Sequence, residues 1–214
     1  MTSASPQELR GTSRREAVRD FKRQGILEAA KRIFQARGLD GTSMRAIATE
    51  AGYTVGALYS YYPAKEHIYA DILSDSLSAL AAAIREAASA TGGQANQARA
   101  AARAFYDHYR ANPADLDLSF YLYQGIGPRG LSPALDRQLN GRLIAALRPI
   151  AKTIADLGGL DPTEAGAETV ATACYLSGVL LLERSGRLKV LDQTGAALVE
   201  RYLEHMTTRL ADAA

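Results

Sequence analysis

Two apolar patterns, each too short to stand alone, flank one glycine in "MRAIATEAGYTVGALYSYY", Met44 to Tyr62. Met44, Ile47, Ala48 and Ala51 recur at helical spacing over a short first stretch. Thr54 to Tyr61 makes about two turns and offers one clearly inward residue, Leu58. Helices below about 12 residues are marginal in water, so such pieces persist only by packing on one another. A steep crossing needs a small residue at closest approach and a turn residue free to take positive φ. Ala48 supplies the first, and Gly52, four positions on, the second. The spacing predicts a helix-turn-helix. Ile47, Ala51, Leu58 and one of Tyr61 or Tyr62 should close it against Ile33 and Phe34 of a preceding helix.

The rest of the chain follows the same period. Ile26, Ala30, Ile33, Phe34 and Arg37 step by three and four, with Gly38 as a stop. After Pro63 a long helix is expected over about residues 64–90, then others over about 95–111, 114–124, 133–157, 162–184 and 193–213. No segment alternates with period two between hairpin turns. The expected fold is all-α, with about nine helices. An N-terminal three-helix helix-turn-helix domain (19–63) precedes a helical-bundle domain (64–214). Residues 1–18, rich in Ser, Thr, Gly and Arg, should form a flexible basic arm.

Composition narrows the class. At 47% hydrophobic residues, the 214-residue chain can bury an ample core. A single cysteine, Cys174, excludes an internal disulfide, and its apolar context, "VATACYLSGVLLL", describes an inert thiol. The first twenty residues hold no apolar targeting stretch, and the longest nearly uncharged apolar run, Val170–Leu182, is short of a bilayer span. A cytoplasmic protein with no membrane partner is expected. Residues 1–66 hold eleven Lys/Arg against seven Asp/Glu, while the remainder holds fourteen against sixteen. A basic front on a slightly acidic body suits a polyanion partner.

That partner is expected to be double-stranded DNA. A recognition helix is short because its task is insertion in a major groove, and Thr54, Val55, Gly56 and Ala57 let backbone approach base edges. Arg45, Thr54 and Val55 are the candidates for base contact. Thr42, as helix N-cap, and Ser43 beside it, with Tyr59, Tyr61 and Lys65, are candidates for phosphate contact. Tyr62 is expected to face inward. Arg45 and Lys65 stand in first helical turns, where positive charge opposes the macrodipole, a placement that suits a phosphate cradle.

The stretch "ILEAAKRIFQARGLDGTSMRAIATEAGYTVGALYSYYPAKEHIYADIL", Ile26 to Leu73, resembles the TetR family of bacterial transcriptional repressors. The resemblance rests on the Gly-x-x-x-Thr-Ser entry, the Ile-Ala-x-x-Ala-Gly turn, the Leu-Tyr recognition helix and the Lys-Glu start of the next helix. It implies a homodimer, operator binding by the front domain and a ligand site in the C-terminal bundle. Tyr61 and Tyr62 stand where the family usually has His and Phe, Pro63 replaces a frequent Lys, Ala64 the usual Ser cap, and Val55 a frequent Lys or Arg. These departures bear on the operator sequence.

A small-molecule effector is expected among the aromatics of the bundle. Phe105 and Tyr109 share a helix face, and Phe120, Tyr121 and Tyr175 are further candidates for its apolar part. His108 and Arg129 are candidates for its acid group. The helices over 162–184 and 193–213 are expected to form a four-helix bundle with a second copy. Its interface would take Val179, Leu180 and Leu182 from one, and Leu198, Tyr202, Met206 and Leu210 from the other. No catalytic or metal-binding signature accompanies these features, and no cofactor is expected. "GIGPRG", Gly125 to Gly130, matches a dinucleotide-binding spacing but lacks the strand and helix around it. The alternative reading is a helical enzyme or scaffold with an incidental helix-turn-helix.

Overall fold

The structure, a computed structural model, describes residues 6–121 and 131–214, with side chains from 14 to 119 and from 131 onward. Ten helices and no strand occur among the described residues: α1 (Pro6–Arg37), α2 (Met44–Glu50), α3 (Val55–Tyr59), α4 (Lys65–Ala88), α5 (Gln94–Ala111), α6 (Pro113–Tyr121), α7 (Pro133–Gly158), α8 (Pro162–Arg184), α9 (Arg187–Val190) and α10 (Gly195–Ala213). The all-α expectation holds, with the four-residue α9 added.

The chain divides into two compact units, Met1–Leu73 with Leu118–Leu135, and Ser74–Asp117 with Asp136–Ala214. The first division falls inside α4, ten residues later than the expected boundary at residue 63. The reason is local. Ile68 and Tyr69 of α4 are fully buried, and Tyr69 packs edge-on against Phe34 of α1 at 5.5 Å. Tyr69 also donates its hydroxyl to the Leu118 carbonyl, which brings the second half of α6 into the front unit.

α1 begins at Pro6, well before the expected start near Asp20, so the expected arm is helical from that residue on. Proline at a first helical position keeps its fixed φ and loses no bond. Glu16 with Arg19, and Asp20 with Arg23, stand at i,i+3 spacing, which supports a helix without an apolar stripe. Residues 14–22 are exposed throughout, and burial starts only at Ile26. Residues 1–5 lie outside the described residues.

In the rear unit α5 packs on α8 and α10, and α8 on α9 and α10. α8 has the length and apolar composition of a membrane-crossing helix, with a window of mean hydropathy 1.4, more than the Val170–Leu182 run suggests. One stripe of it, Ala165, Thr169, Thr172, Leu176, Val179 and Leu180, is buried within this unit. Its start is fixed by a capping box. Asp161 accepts from the Thr163 and Glu164 amides at 2.7 and 2.9 Å, and Glu164 accepts back from the Asp161 amide.

Candidate nucleic-acid interface

The front unit assembles its surface from helix ends. α2 is capped by Ser43, whose hydroxyl accepts from the Ala46 amide at 3.2 Å. Thr42, the expected cap and phosphate ligand, is buried, and it donates its hydroxyl to the Gly38 carbonyl at 2.6 Å. The correction has a physical cause: after the left-handed Gly38 (φ 69°) the chain turns tightly, and Thr42 closes that turn while Ser43 faces out. Arg45 is therefore one position closer to the helix start than expected. It is exposed and takes part in no ion pair among the described residues.

The turn between α2 and α3 is built as the sequence demands. Gly52 has φ 73°. The Tyr53 amide donates to the Ala48 carbonyl at 2.8 Å and the Gly52 amide to Thr49 at 3.2 Å, the paired bonds of a Schellman motif. Thr54 caps α3, accepting from the Ala57 amide at 3.2 Å. Leu58 is wholly buried and is the one anchor of this five-residue helix. Thr54, Gly56 and Tyr59 are exposed, while Val55, Ala57 and Tyr61 are half-buried. Tyr59 leaves 54% of its surface open, which is unusual for so large an apolar ring.

Lys65 does something else than expected. Its ammonium donates to the Leu39 carbonyl at 2.7 Å and to the Thr42 carbonyl at 2.8 Å. Two of its three donors thus stitch the start of α4 to the turn that leads into α2. The first-turn cation that a phosphate cradle would use is a clamp between elements.

Tyr62 faces inward and is 5% exposed. Its hydroxyl donates to Asp71 Oδ2 at 2.9 Å, and Arg23 reaches the same oxygen at 2.9 Å. Burial, and then the bond to the Asp71 carboxylate, push the Tyr62 phenol well above its ordinary value. Sequence reasoning missed this group. Its only local signal is Asp71 amid the apolar residues of "HIYADIL".

The residues expected at a ligand site are divided by the structure. Phe105 and Tyr109 are buried on α5 and meet edge-on at 5.1 Å. His108 is half-buried, with its ring 5.3 Å from Tyr109. Tyr175 is half-buried on α8, stacked on Tyr202 of α10 at 4.0 Å, and it donates to the Leu198 carbonyl at 3.2 Å. It belongs to the α8–α10 seam. The side chains of Phe120 and Tyr121, and the whole of Arg129 and of Gly125–Gly130, lie outside the described residues.

The expected interface residues also divide. Val179, Leu180, Met206 and Leu210 are buried within their own chain, so they form the intramolecular seam. Leu198 and Tyr202 are half-buried at its border, and Leu182 is exposed. Val170 and Leu181 are exposed with it, and so is Cys174, in spite of its apolar sequence context. A helix apolar all round gives no sequence signal for which side turns out.

Residues 26–72 match the family described as bacterial regulatory proteins, tetR family. The transcriptional activator FasR of Mycolicibacterium smegmatis is 33% identical over 89 residues, covering 42% of this chain and 41% of that protein. An uncharacterized HTH-type regulator, YfiR of Bacillus subtilis, is 32% identical over 59 residues, or 28% and 29% of the two chains. The chain thus matches less than half the length of either curated relative. Solved structures resemble it over most of their length. The regulator PfmR of Thermus thermophilus has a TM-score of 0.63 at 19% identity, covering 85% of this chain and 93% of its own. The fatty acid degradation regulator FadR of Bacillus halodurans has 0.67 at 16%, covering 87% and 94%.

Proposed function

We propose that this chain, which matches the tetR family of bacterial regulatory proteins over residues 26–72, is a homodimeric repressor released from its operator by a small, mostly apolar ligand. The observation that carries the DNA reading is α3. It is a five-residue helix anchored by Leu58 alone, with its capped N-terminus and Tyr59 outward. Such an element contributes little to stability and suits groove insertion. Arg45, Thr54 and Val55 read bases, while Ser43, Tyr59 and Tyr61 hold phosphates. Lys65 supports these contacts by fixing the turn before α2.

Two copies join through the exposed side of α8, Val170, Leu181 and Leu182, bordered by Leu198 and Tyr202 of α10. Apolar exposure of this kind on a long helix favours an interface. The effector sits in the rear bundle against Phe105 and Tyr109, with His108 toward its acid group. Ser74 and Ser76 of α4 bury hydroxyls that no group among the described residues satisfies, which supports a polar ligand atom nearby. The name of the FadR structure puts that protein in fatty acid degradation, and an acyl acid is our choice of ligand class here. The protein is cytoplasmic. FasR is named an activator, and activation is the second reading.

Footprinting on DNA flanking its own gene, with and without C8 to C16 fatty acids, tests the reading. Two protected half-sites about one helical turn apart, lost on adding the acid, are expected. Protection that strengthens with the acid favours activation, and a single half-site bound by a monomer rejects the dimer.

A further inference from the structure

A cleft of about 650 Å³ opens in the rear unit between the last turn of α4, the start of α5 and one face of α7. Its size is within the range of small-molecule sites. α7 contributes Ala145, Arg148, Pro149, Lys152 and Asp156, which recur every three or four residues and so share a face. Arg85 comes from α4 and Gln97 from α5.

The charge in this cleft is unbalanced. Arg85, Arg148 and Lys152 face a single carboxylate, Asp156, which Lys152 already holds at 2.5 Å. Arg85 and Arg148 are exposed, and neither takes part in an ion pair among the described residues. Arg148 and Lys152 are moreover like charges at i,i+4, an arrangement that weakens a helix. Beside them Pro149 lies inside the continuous α7. Proline has no N–H, so the carbonyl of Ala145, a residue of the cleft lining, lacks its i+4 donor. Fixed positive charge, an acceptor without its helical partner and an apolar floor of Ala88 and Pro149 therefore occur together.

We propose that this cleft binds a small phosphate monoester carrying hydroxyl groups, at a site separate from the aromatic ligand site of α5. A surplus of two positive charges matches a phosphate dianion, whereas a monocarboxylate leaves one cation uncompensated. The two guanidinium groups supply planar donor pairs suited to phosphate oxygens. The Ala145 carbonyl and the Gln97 amide oxygen accept from hydroxyls of the ester, and its carbon skeleton lies on Ala88 and Pro149. The site does not depend on how the front unit meets DNA.

Calorimetric titration of the full chain, without DNA, tests it, with ribose 5-phosphate, inorganic phosphate and ribose as separate probes. Saturable binding of ribose 5-phosphate, one per chain, is expected, weaker binding of phosphate and none of ribose. Arg148→Ala and Arg85→Ala should each weaken it about tenfold or more. Lys189→Ala, at an exposed cation of α9 away from the cleft lining, should leave it unchanged. Absence of saturable binding by about 10 mM overturns the proposal, since that affinity is too weak to be specific. Equal weakening in Lys189→Ala, or inorganic phosphate binding as tightly as the ester, overturns it too.

Discussion

The two units bury a tyrosine in the same way and rest on different foundations. In the front unit Tyr62 donates to Asp71, which also holds Arg23. In the rear unit Tyr106 of α5 donates to Glu183 of α8 at 2.8 Å, with Arg110 3.7 Å from the other carboxylate oxygen. The rear bond spans 77 residues, whereas in the front unit the Tyr62 bond spans nine and it is Arg23 that reaches Asp71 across 48. Around Tyr106, however, long helices offer continuous buried stripes, such as Val199, Leu203, Met206 and Leu210 of α10. Around Tyr62, α2 and α3 span seven and five residues and depend on Leu58, two side-chain caps and the Lys65 clamp. The front unit turns the small and polar residues of α3 outward and holds that helix by a few groups. The rear unit spreads cohesion over many, so its exposed residues are free to serve other ends.

The sharpest way to break this comparison is a matched pair of cavities. Leu58→Ala and Leu203→Ala remove the same atoms from fully buried sites, and each should cost about 2–5 kcal/mol in a denaturant melt. Only Leu58→Ala should abolish operator binding at temperatures where the chain remains helical. If both variants lose DNA affinity in proportion to stability alone, cohesion is not concentrated as described.

A second pair separates cohesion from contact within the front unit. Lys65→Met leaves the Thr42 carbonyl without this donor and the Leu39 carbonyl with the Thr42 amide alone, and should cost about 1–3 kcal/mol of stability. Arg45→Ala should leave the melting midpoint in place and weaken the specific operator by about 1–3 kcal/mol, relaxing one base position. A Lys65→Met protein with unchanged stability and weaker binding would return Lys65 to the phosphate role.

How much of this was legible follows from sequence distance. The helix-turn-helix was, because Ala48, Gly52 and Leu58 act within one short segment and the αL turn admits few alternatives to glycine. The role of Lys65 was not, because its acceptors lie 26 and 23 residues away and are backbone atoms that carry no side-chain signal. Ser43 displaced Thr42 as cap because both are capping residues, and only the turn after Gly38 decides between them. The first half of α1 escaped notice because residues 14–22 carry no buried stripe, and the four-residue α9 because it is a single turn. On α8 and α10 the stripes were found but assigned outward. Burial against a neighbouring helix in the same chain and burial against a second copy leave identical apolar periodicity.

The smallest expected effect probes the tyrosine pair itself. Tyr106→Phe removes one hydrogen bond to a carboxylate and should cost about 1 kcal/mol at neutral pH. Its pH signature is more telling. Burial, followed by the bond to Glu183, pushes the Tyr106 phenol up to about 12 from an ordinary value of 10.0. A raised value means that the folded chain keeps the proton after the unfolded chain has lost it. The stabilisation is therefore complete below about pH 10, and it is lost as pH rises toward about 12. Urea melts of the parent at pH 8, 10 and 11 should show this decline, and Tyr106→Phe should decline less steeply, since its phenol no longer titrates. Tyr62→Phe should flatten the same range, because its phenol is raised further and for the same first cause, burial. If Tyr106→Phe flattens the decline and Tyr62→Phe does not, the two devices are not equivalent, and the Tyr62 hydroxyl ionises with solvent at hand. That result would fit a front unit that opens locally at alkaline pH while the rear bundle stays closed, the sharper form of the contrast between a few anchors and many.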